Sequence, residues 1–584
     1  MSFINQLKTI KDMIHKHFYT YLKSIIIIQG LWSLIVSPLI IYLFLKAIHF
    51  ANLNSLTEQT ILQIVKNPLS LSAIILIFLI TCCFTYYEQA YFLTLVAAHK
   101  NNQLINPKEI IKKINKKLKY FISFQFIFLI IYFLLILPIA AVGMNSIIAK
   151  QLKIPNFIID ELLKTNSGKL IYGICLLLII FLNFRLIFTI PYFIHEKENT
   201  IFGAIKKSWQ NTKKNQFKIL RTIISLLIIQ TISIAIISFI LYLPLAIIER
   251  IVPQLAPIIA GITVTAIQWL LFFSFGILQL VMAIILLSFI SKTENPTNTN
   301  RKINFKYQKI IIFSTIILFI TSSVINIFTI SETIYQPETL VIAHRGYTAN
   351  HIENTIASLK DAAKIGADYV ELDVQETKDQ QWVVFHDATL SRLSSHNDRI
   401  SDLTLAEIQK IELKKGNQTD KIPSLEEFID AAKAINMPLL IEIKIFGTES
   451  KEPIERLLQL IKSKDGNNYL IQTLNESIVQ LVKQTSPETT TGILVALNIG
   501  NLPDTKADFI GLEEFSVNQR LIKQAQNEDK NLFVWTVNQE YLIQNVLRMN
   551  VDGIITNNPL QAIKLRQSFD NQKTFVERVK HFIN

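Results

Sequence analysis

A chain of 584 residues of which 50% are hydrophobic exceeds what one soluble core can bury, so several domains or a membrane region are expected. Its formal charge of +13 conceals two unlike parts: residues 1–331 hold 31 Lys and Arg against 10 Asp and Glu, whereas residues 332–584 hold 27 against 35. A basic excess confined to the flanks of apolar runs, beside a mildly acidic remainder, speaks against nucleic acid as a partner.

Apolar, charge-free runs long enough to cross a hydrocarbon core of ~30 Å, which takes roughly 20 helical residues, recur through the first part. They predict seven spans: Ser24–Leu45, Leu69–Tyr87, Tyr120–Ser146, Leu170–Tyr192, Thr222–Ile248, one within Ile251–Ser291, and Ile310–Ser331. The sixth run is 41 residues long, so an interfacial helix near Pro253 and Pro257 is expected ahead of one crossing; two crossings would reverse the topology. Lys and Arg in short loops mark the cytoplasmic side. Loops 1–23, 99–119, 195–221 and 292–309 hold 23 of them, against 7 in 46–68, 147–169 and 249–250. That split predicts a multi-pass protein of the plasma membrane with a cytoplasmic N-terminus and, after seven spans, an extracellular C-terminal half. The first span has no small-residue cleavage site and reads as a retained helix. Cys82, Cys83 and Cys175 all lie in apolar runs and read as membrane-buried hydrophobes, offering no disulfide framework or metal site. Glu88 and Arg185, within or beside spans, read as residues that orient helices, since two isolated charges make no relay.

After Ser331, short β-rich runs alternate with amphipathic stretches. The runs are Thr339–Ala343, Asp368–Asp373, Trp382–Phe385, Leu439–Lys444, Tyr469–Gln472, Gly492–Val495, Phe509–Leu512, Leu532–Trp535 and Gly553–Thr556. Stretches such as Asn354–Ile365, Ser424–Ile435 and Glu452–Ser463 carry helical periodicity between them. Such alternation over about 245 residues, in eight or so units, predicts a parallel (β/α) barrel. The expected organisation is an α-helical transmembrane bundle over 1–331, a barrel over 338–570 and a C-terminal helix or tail over 571–584.

Polar clusters stand where these runs end, the position at which such a barrel carries its chemistry. His344-Arg345-Gly346 follows Leu340–Ala343; alone, a histidine there is more often a structural hydrogen-bonder than a catalyst. In Glu371-Leu372-Asp373 the carboxylates are two apart, and residues two apart on a strand share a face, so both can converge on a hard divalent cation. Tyr369, Val370, Leu372 and Val374 around them mark a buried strand, against a pair of solvated charges. His386-Asp387 follows Trp382–Phe385, and Glu442-Ile443-Lys444 repeats the two-apart spacing after Pro438-Leu439-Leu440-Ile441. Two histidines, three carboxylates, Arg345 and Lys444 form a set suited to cleaving a phosphodiester: oxygen ligands for a cation, cationic partners for phosphate, and two groups to carry protons.

His344-Arg345-Gly346, Glu353-Asn354-Thr355, Gly366-Ala367-Asp368, Glu371-Leu372-Asp373-Val374 and Thr377-Lys378-Asp379 occur in that order. His386-Asp387, Leu390-Ser391-Arg392, Ile422–Glu427, Glu442-Ile443-Lys444, Trp535-Thr536-Val537-Asn538 and Val551–Thr556 continue the series. On these motifs the stretch from Val341 to Pro559 resembles the glycerophosphodiester phosphodiesterase family. Each motif is common; the ordered series is specific. The helical first part resembles the membrane domain that precedes such catalytic domains in some bacterial members.

The resemblance implies a TIM-type (β/α)8 barrel and hydrolysis of a glycerophosphodiester to an alcohol and sn-glycerol 3-phosphate, in lipid or glycerol-phosphate polymer metabolism. It also implies that the substrate's own glycerol hydroxyl attacks first, giving a cyclic phosphate that water opens. Carried over by position, Glu371, Asp373 and Glu442 would hold one divalent cation, Mg²⁺ or Ca²⁺, and His344 and His386 would be the acid/base pair. Arg345 and Lys444 would contact phosphate, and Trp535 would wall the glycerol pocket. Ile352, Gln380 and Asn557 depart from the family's usual Pro, Gly and Asp, which touches turn geometry and removes no ligand. Tethering favours lipid head groups, or anionic polymers attached at the membrane surface, over freely diffusing substrates. Two rival readings stand beside this one: a membrane carrier or sensor whose barrel only binds glycerophosphodiesters, and a phosphodiesterase of the related barrel type acting on lysophospholipid or sphingolipid.

Overall fold

The computed structural model describes residues 3–103, 105–122, 127, 130–131, 159, 162–163, 165–196, 200–290, 308–332, 338–445, 450–464, 469–570 and 574–583. Among these, six helices are long and apolar enough to cross a membrane: Asn5–His49, Pro68–Lys100, Asn166–His195, Ile201–Ile251, Pro253–Ile290 and Ile312–Ser331. The span expected at Tyr120–Ser146 lies almost wholly outside the described residues. The run after Ile251 holds a 3-10 turn at Pro253–Leu255 and then one continuous helix, Ala256–Ile290, so it crosses once and the expected interfacial helix is only a turn. Local chemistry sets the helix starts. Asn67, for example, accepts from the backbone N–H of Leu69 and Ser70 while Pro68 takes the first helical position, where its missing N–H costs nothing. Glu88 accepts a hydrogen bond from Gln279 at 2.8 Å, and the Arg185 guanidinium lies 5.8 Å over the ring of Trp209 on the following helix, so each charge meets a neighbouring helix.

The C-terminal part is a closed barrel of eight parallel strands: β1 Leu340–His344, β2 Tyr369–Glu376, β3 Leu439–Ile443, β4 Leu470–Thr473, β5 Thr491–Val495, β6 Phe509–Glu513, β7 Asn531–Trp535 and β8 Gly553–Thr556. Each pairs with the next, and β8 returns to β1. The strands are buried on both faces, which is why they read as continuous apolar runs and not as alternating ones. The ninth expected run, Trp382–Phe385, is not a barrel strand. β2 overruns the barrel, and its far end, Val374–Glu376, pairs antiparallel with Trp382–Val384. The connection between them places Gln380 at φ 59°, the left-handed conformation for which the family's usual Gly is suited.

Ile342, Leu440, Phe509, Phe533 and Ile555 from five different strands meet one another, with Tyr369, Leu470 and Trp535 against them. They fill the lumen and form its floor. Separate apolar clusters join the outer strand faces to the surrounding helices.

Candidate active site

Side chains alternate along a strand, so the residue two places past each floor residue also faces the lumen, nearer the C-terminal mouth. From Ile342 this step reaches His344; from Tyr369, Glu371 and then Asp373; from Leu440, Glu442; from Leu470, Gln472; from Phe509, Gly511 and then Glu513; from Phe533, Trp535; from Ile555, Asn557. The register sets His344 opposite Glu371, Asp373 opposite Glu442, Glu442 opposite Gln472 and Glu513 opposite Trp535. An apolar floor thus carries a polar ring. Gln472 and Glu513, both buried in that ring, went unmarked in the sequence because neither stands in a polar motif; their offset from Leu470 and Phe509 is the signal.

Glu371, Asp373 and Glu442 are buried and offer carboxylate oxygens within 4.8 Å of one another, the one such metal-ligating group among the described residues. Glu371 Oε2 accepts from the Arg345 backbone N–H at 3.0 Å, and Glu371 Oε1 is buried with no hydrogen-bond partner. Asp373 Oδ2 accepts from Asn354 Nδ2 at 2.9 Å and forms an ion pair with Arg345, whose Nε lies 3.0 Å away. Lys444 Nζ lies 3.4 Å from Asp373 Oδ1 and pairs with Glu442. Burial, then the charges of Asp373 and Glu442, push the Glu371 carboxyl well above its ordinary range. Burial works on Asp373 in the same sense, but Arg345, His386 and Lys444 hold it well below. Three converging oxygens, one of them orphaned and crowded by like charge, fit a hard divalent cation.

His344 Nδ1 lies 2.7 Å from Asn557 Oδ1, and its Nε2 lies 3.9 Å from Glu371 Oε2. Burial, then the Arg345 charge, push the ring down to about 3, so it stands neutral. Asn557 Oδ1 accepts from Nδ1–H in the tautomer that leaves Nε2 free to take a proton. Asn557, expected to affect only turn geometry, therefore touches a candidate catalytic ring.

His386 Nδ1 lies 2.6 Å from Asp387 Oδ1. Arg392 donates to Asp387 Oδ2 at 2.6 Å and to Glu353 at 2.7 and 3.0 Å; Glu353 in turn receives Arg345 at 2.8 Å. A continuous chain of ion pairs, Arg345–Glu353–Arg392–Asp387–His386, fixes Arg345 and His386 relative to each other. Burial opposes the Glu353 charge, yet Arg392 and Arg345 hold its carboxyl well below the usual range. Asp387, likewise opposed by burial, is brought to about 2 by His386 and Arg392.

The turn after β1 makes this possible. Arg345 at φ 59° and Gly346 at φ 81° are both left-handed, which swings Arg345 back over Asp373. A Cβ on Gly346 would come within 2.4 Å of Ser358 Oγ and 2.7 Å of its backbone carbon. Gly346→Ala is expected to cost more than about 1 kcal/mol, read as a lower Tm in thermal unfolding; an unchanged Tm would show that the turn can shift. Thr355 and Ser358 form the capping box of helix Ile356–Lys364, and Ser358 Oγ donates to Arg345 O at 3.1 Å, which locks Glu353 and Asn354 beside the mouth. Trp535, at the end of β7, is half-buried and donates from Nε1 to Gly511 O at 2.9 Å.

Residues 7–326 match the family described as the membrane domain of glycerophosphoryl diester phosphodiesterase, and residues 344–561 match the glycerophosphoryl diester phosphodiesterase family. A glycerophosphodiester phosphodiesterase of Caldanaerobacter subterraneus is 33% identical over 237 residues, 39% of this chain and 98% of its own. One from Bacillus altitudinis is 27% identical over 246 residues, 39% of this chain and 98% of its own. Among solved structures, an Oleispira antarctica phosphodiesterase in complex with the product sn-glycerol-3-phosphate is 23% identical with a TM-score of 0.35, covering 40% of this chain and 97% of its own.

Proposed function

The chain belongs to the glycerophosphodiester phosphodiesterase family, and we propose that its barrel cleaves its substrate to an alcohol and sn-glycerol 3-phosphate with one divalent cation held by Glu371, Asp373 and Glu442. The protein is a hydrolase carried on a multi-span membrane domain. What supports the reading of the site is the convergence of three buried carboxylates, two histidines, Arg345 and Lys444 at one barrel mouth.

A bound cation supplies Lewis-acid charge for the phosphoryl oxygens, and the all-carboxylate donor set suits Mg²⁺ or Ca²⁺. Arg345 and Lys444 orient the phosphate. One histidine takes the proton of the glycerol 2-hydroxyl as that oxygen bonds to phosphorus, and the other protonates the departing alcohol, leaving a five-membered cyclic phosphate. The roles then exchange. Water gives a proton to the ring that has just lost one, and the other ring returns its proton to the 2-oxygen as sn-glycerol 3-phosphate forms. Trp535 walls the glycerol. The split of Lys and Arg between loops supports a cytoplasmic N-terminus and a barrel outside the plasma membrane.

The full-length protein in detergent is expected to release sn-glycerol 3-phosphate from glycerophosphocholine and glycerophosphoglycerol, to stop on addition of chelator and to recover with Mg²⁺ or Ca²⁺. Release indifferent to chelator would remove the cation from the reaction, and binding without release would leave a carrier or sensor.

A further inference from the structure

The membrane domain reaches the barrel at its catalytic end, and it does so where the barrel supports itself least. Seven of the eight strands are followed by a helix before the next strand or the end of the barrel, whereas residues 496–508, between β5 and β6, form a loop whose one regular element is Ile499–Gly500. In a barrel of this type a helix packed behind each strand ordinarily anchors the loop at the strand's C-terminal end. After β5 the hold comes from the segment Asn54–Gln59, between the first two membrane helices. Ser55 and Leu56 pair antiparallel with Gly500 and Ile499, and Asn501 N donates to Asn54 O at 3.2 Å. The Glu58 carboxylate accepts from the backbone N–H of Ala496 at 3.1 Å and of Leu497 at 3.0 Å. Gln59 donates its side-chain amide to the carbonyl of Leu474, the first residue after β4. The strap is closely fitted: Ser55 and Thr57 are buried, and at Gly500, with φ 118°, a Cβ would stand 3.0 Å from Asn54 O. It is also stiff, because Thr57 N donates to Thr60 Oγ1 at 2.8 Å and Thr60 N to Thr57 Oγ1 at 3.3 Å, which presents Glu58 on a fixed turn.

The loop that the strap holds lines the site. Paired residues of neighbouring strands share a face, and β5 sets Gly492 beside the floor residue Phe509 and Leu494 beside Gly511, so the next step of two brings Ala496 to the lumen beside Glu513. Where other strands bring a polar side chain to the ring, β5 brings an alanine, and the N–H of that residue is the one Glu58 takes up. The hold passes on to β6. Asn498 N donates to Ser516 Oγ at 3.0 Å in the turn Glu514–Ser516, and Glu513 accepts from Phe515 N in the same turn at 2.9 Å. In a closed ring of eight strands, β5 and β6 stand across from β1 and β2, which carry His344, Glu371 and Asp373.

We infer that Glu58 is a positioning residue of the hydrolase, contributed by the membrane domain: it fixes the loops after β5 and β6, and with them the wall against which the organic part of the substrate rests while its phosphate lies at the carboxylates. The inference rests on the hydrolase reading and adds to it a residue from outside the barrel. The partners of Glu58 are backbone N–H groups across the lumen from the histidines and the three carboxylates, so it acts on how the substrate is held and not on the bonds that form and break. Loss of a contact of that kind raises KM and leaves kcat in place.

The test is steady-state kinetics of the full-length protein in detergent on glycerophosphoglycerol, alongside thermal unfolding. Glu58→Ala is expected to raise KM about 10-fold while kcat changes less than about twofold, with Tm and its rise on adding Mg²⁺ unchanged. Glu58→Gln, which keeps an oxygen to accept and loses only the charge, is expected to recover most of that KM. Gln59→Ala, which frees Leu474 alone, should raise KM about threefold. An unchanged KM in Glu58→Ala, or a loss confined to kcat, would overturn the inference and leave the hydrolase reading standing. A KM rise that comes with a lowered Tm in both Glu58 variants would make the strap a structural brace and would overturn it equally. A wild-type protein that releases sn-glycerol 3-phosphate from no diester would overturn both.

Discussion

Glu371→Gln is expected to lower diester hydrolysis by at least about 10³-fold, beyond the roughly 10- to 100-fold that losing an outer partner of a metal ligand costs, while leaving the metal-free protein as stable as the wild type or more so. Both effects have one cause. Without a cation, burial and the charges of Asp373 and Glu442 push the Glu371 carboxyl well above its ordinary range. A carboxyl raised by folding favours the fold while it holds its proton; that contribution is complete below the unfolded value and is lost as pH rises through the folded one. Glutamine keeps the neutral shape at every pH, keeps an oxygen for the Arg345 backbone N–H and removes the repulsion. It cannot balance a divalent ion as a carboxylate does, so the rise in Tm on adding Mg²⁺ or Ca²⁺ should vanish together with the activity. In the wild type the cation must displace that proton, so its stabilisation over chelated protein should grow as pH rises above the ordinary carboxylate range. Thermal unfolding with and without chelator at several pH values, alongside product release, measures all of this. A variant that keeps the cation-dependent rise, or a wild type whose rise shrinks with pH, would remove Glu371 from the ligand set.

The barrel was legible because its strands are buried on both faces and so stand out as apolar runs, three of them ending in the polar clusters His344-Arg345, Glu371-Leu372-Asp373 and Glu442-Ile443-Lys444. Trp382–Phe385 has the same texture for a different reason: β2 is long enough to leave the barrel, and its overhang needs an antiparallel partner. The pairwise chemistry was less legible. Glu353 and Arg392 are 39 residues apart and meet only because the turn after β1 and the loop after Trp382–Val384 converge on one rim. Asn557 read as a turn residue because nothing in the sequence says that its side chain lies against His344. Contacts between the two parts of the chain were invisible. Glu58 and Ala496 are 438 residues apart, and Glu249, whose carboxylate caps the N-terminus of helix Phe575–Ile583 by accepting from the Val576 backbone N–H at 3.0 Å, has no partner that charge counting could name. Val579 of that helix is buried against Leu245, Ala256, Ala260, Val264 and Ile330 of the membrane domain, so the segment read as a helix or tail is a second clamp.

His344→Ala and His386→Ala are each expected to lower kcat by about 10²- to 10⁴-fold, with KM changing far less and the cation-induced rise in Tm intact. Neither ring belongs to the three-carboxylate group, so neither should matter to the metal; each acts where a proton moves, which occurs only as the P–O bonds form and break. Since every cycle needs one ring to take a proton while the other gives one, removing either stops the exchange, and the double variant should fall little below the worse single one. Their supports should matter less. Asn557→Ala and Asp387→Asn leave the rings in place and loosen only their orientation, for an expected loss of about 10- to 100-fold. Arg392→Ala should exceed both, because Arg392 neutralises Asp387 and Glu353 together, and its loss leaves the buried Glu353 with Arg345 alone and the half-buried Asp387 with His386 alone. Steady-state kinetics on one soluble diester orders the series. A single-histidine variant that keeps more than about a tenth of wild-type kcat takes that ring out of the proton path, and one that loses the Tm rise as well would have to be counted among the ligands.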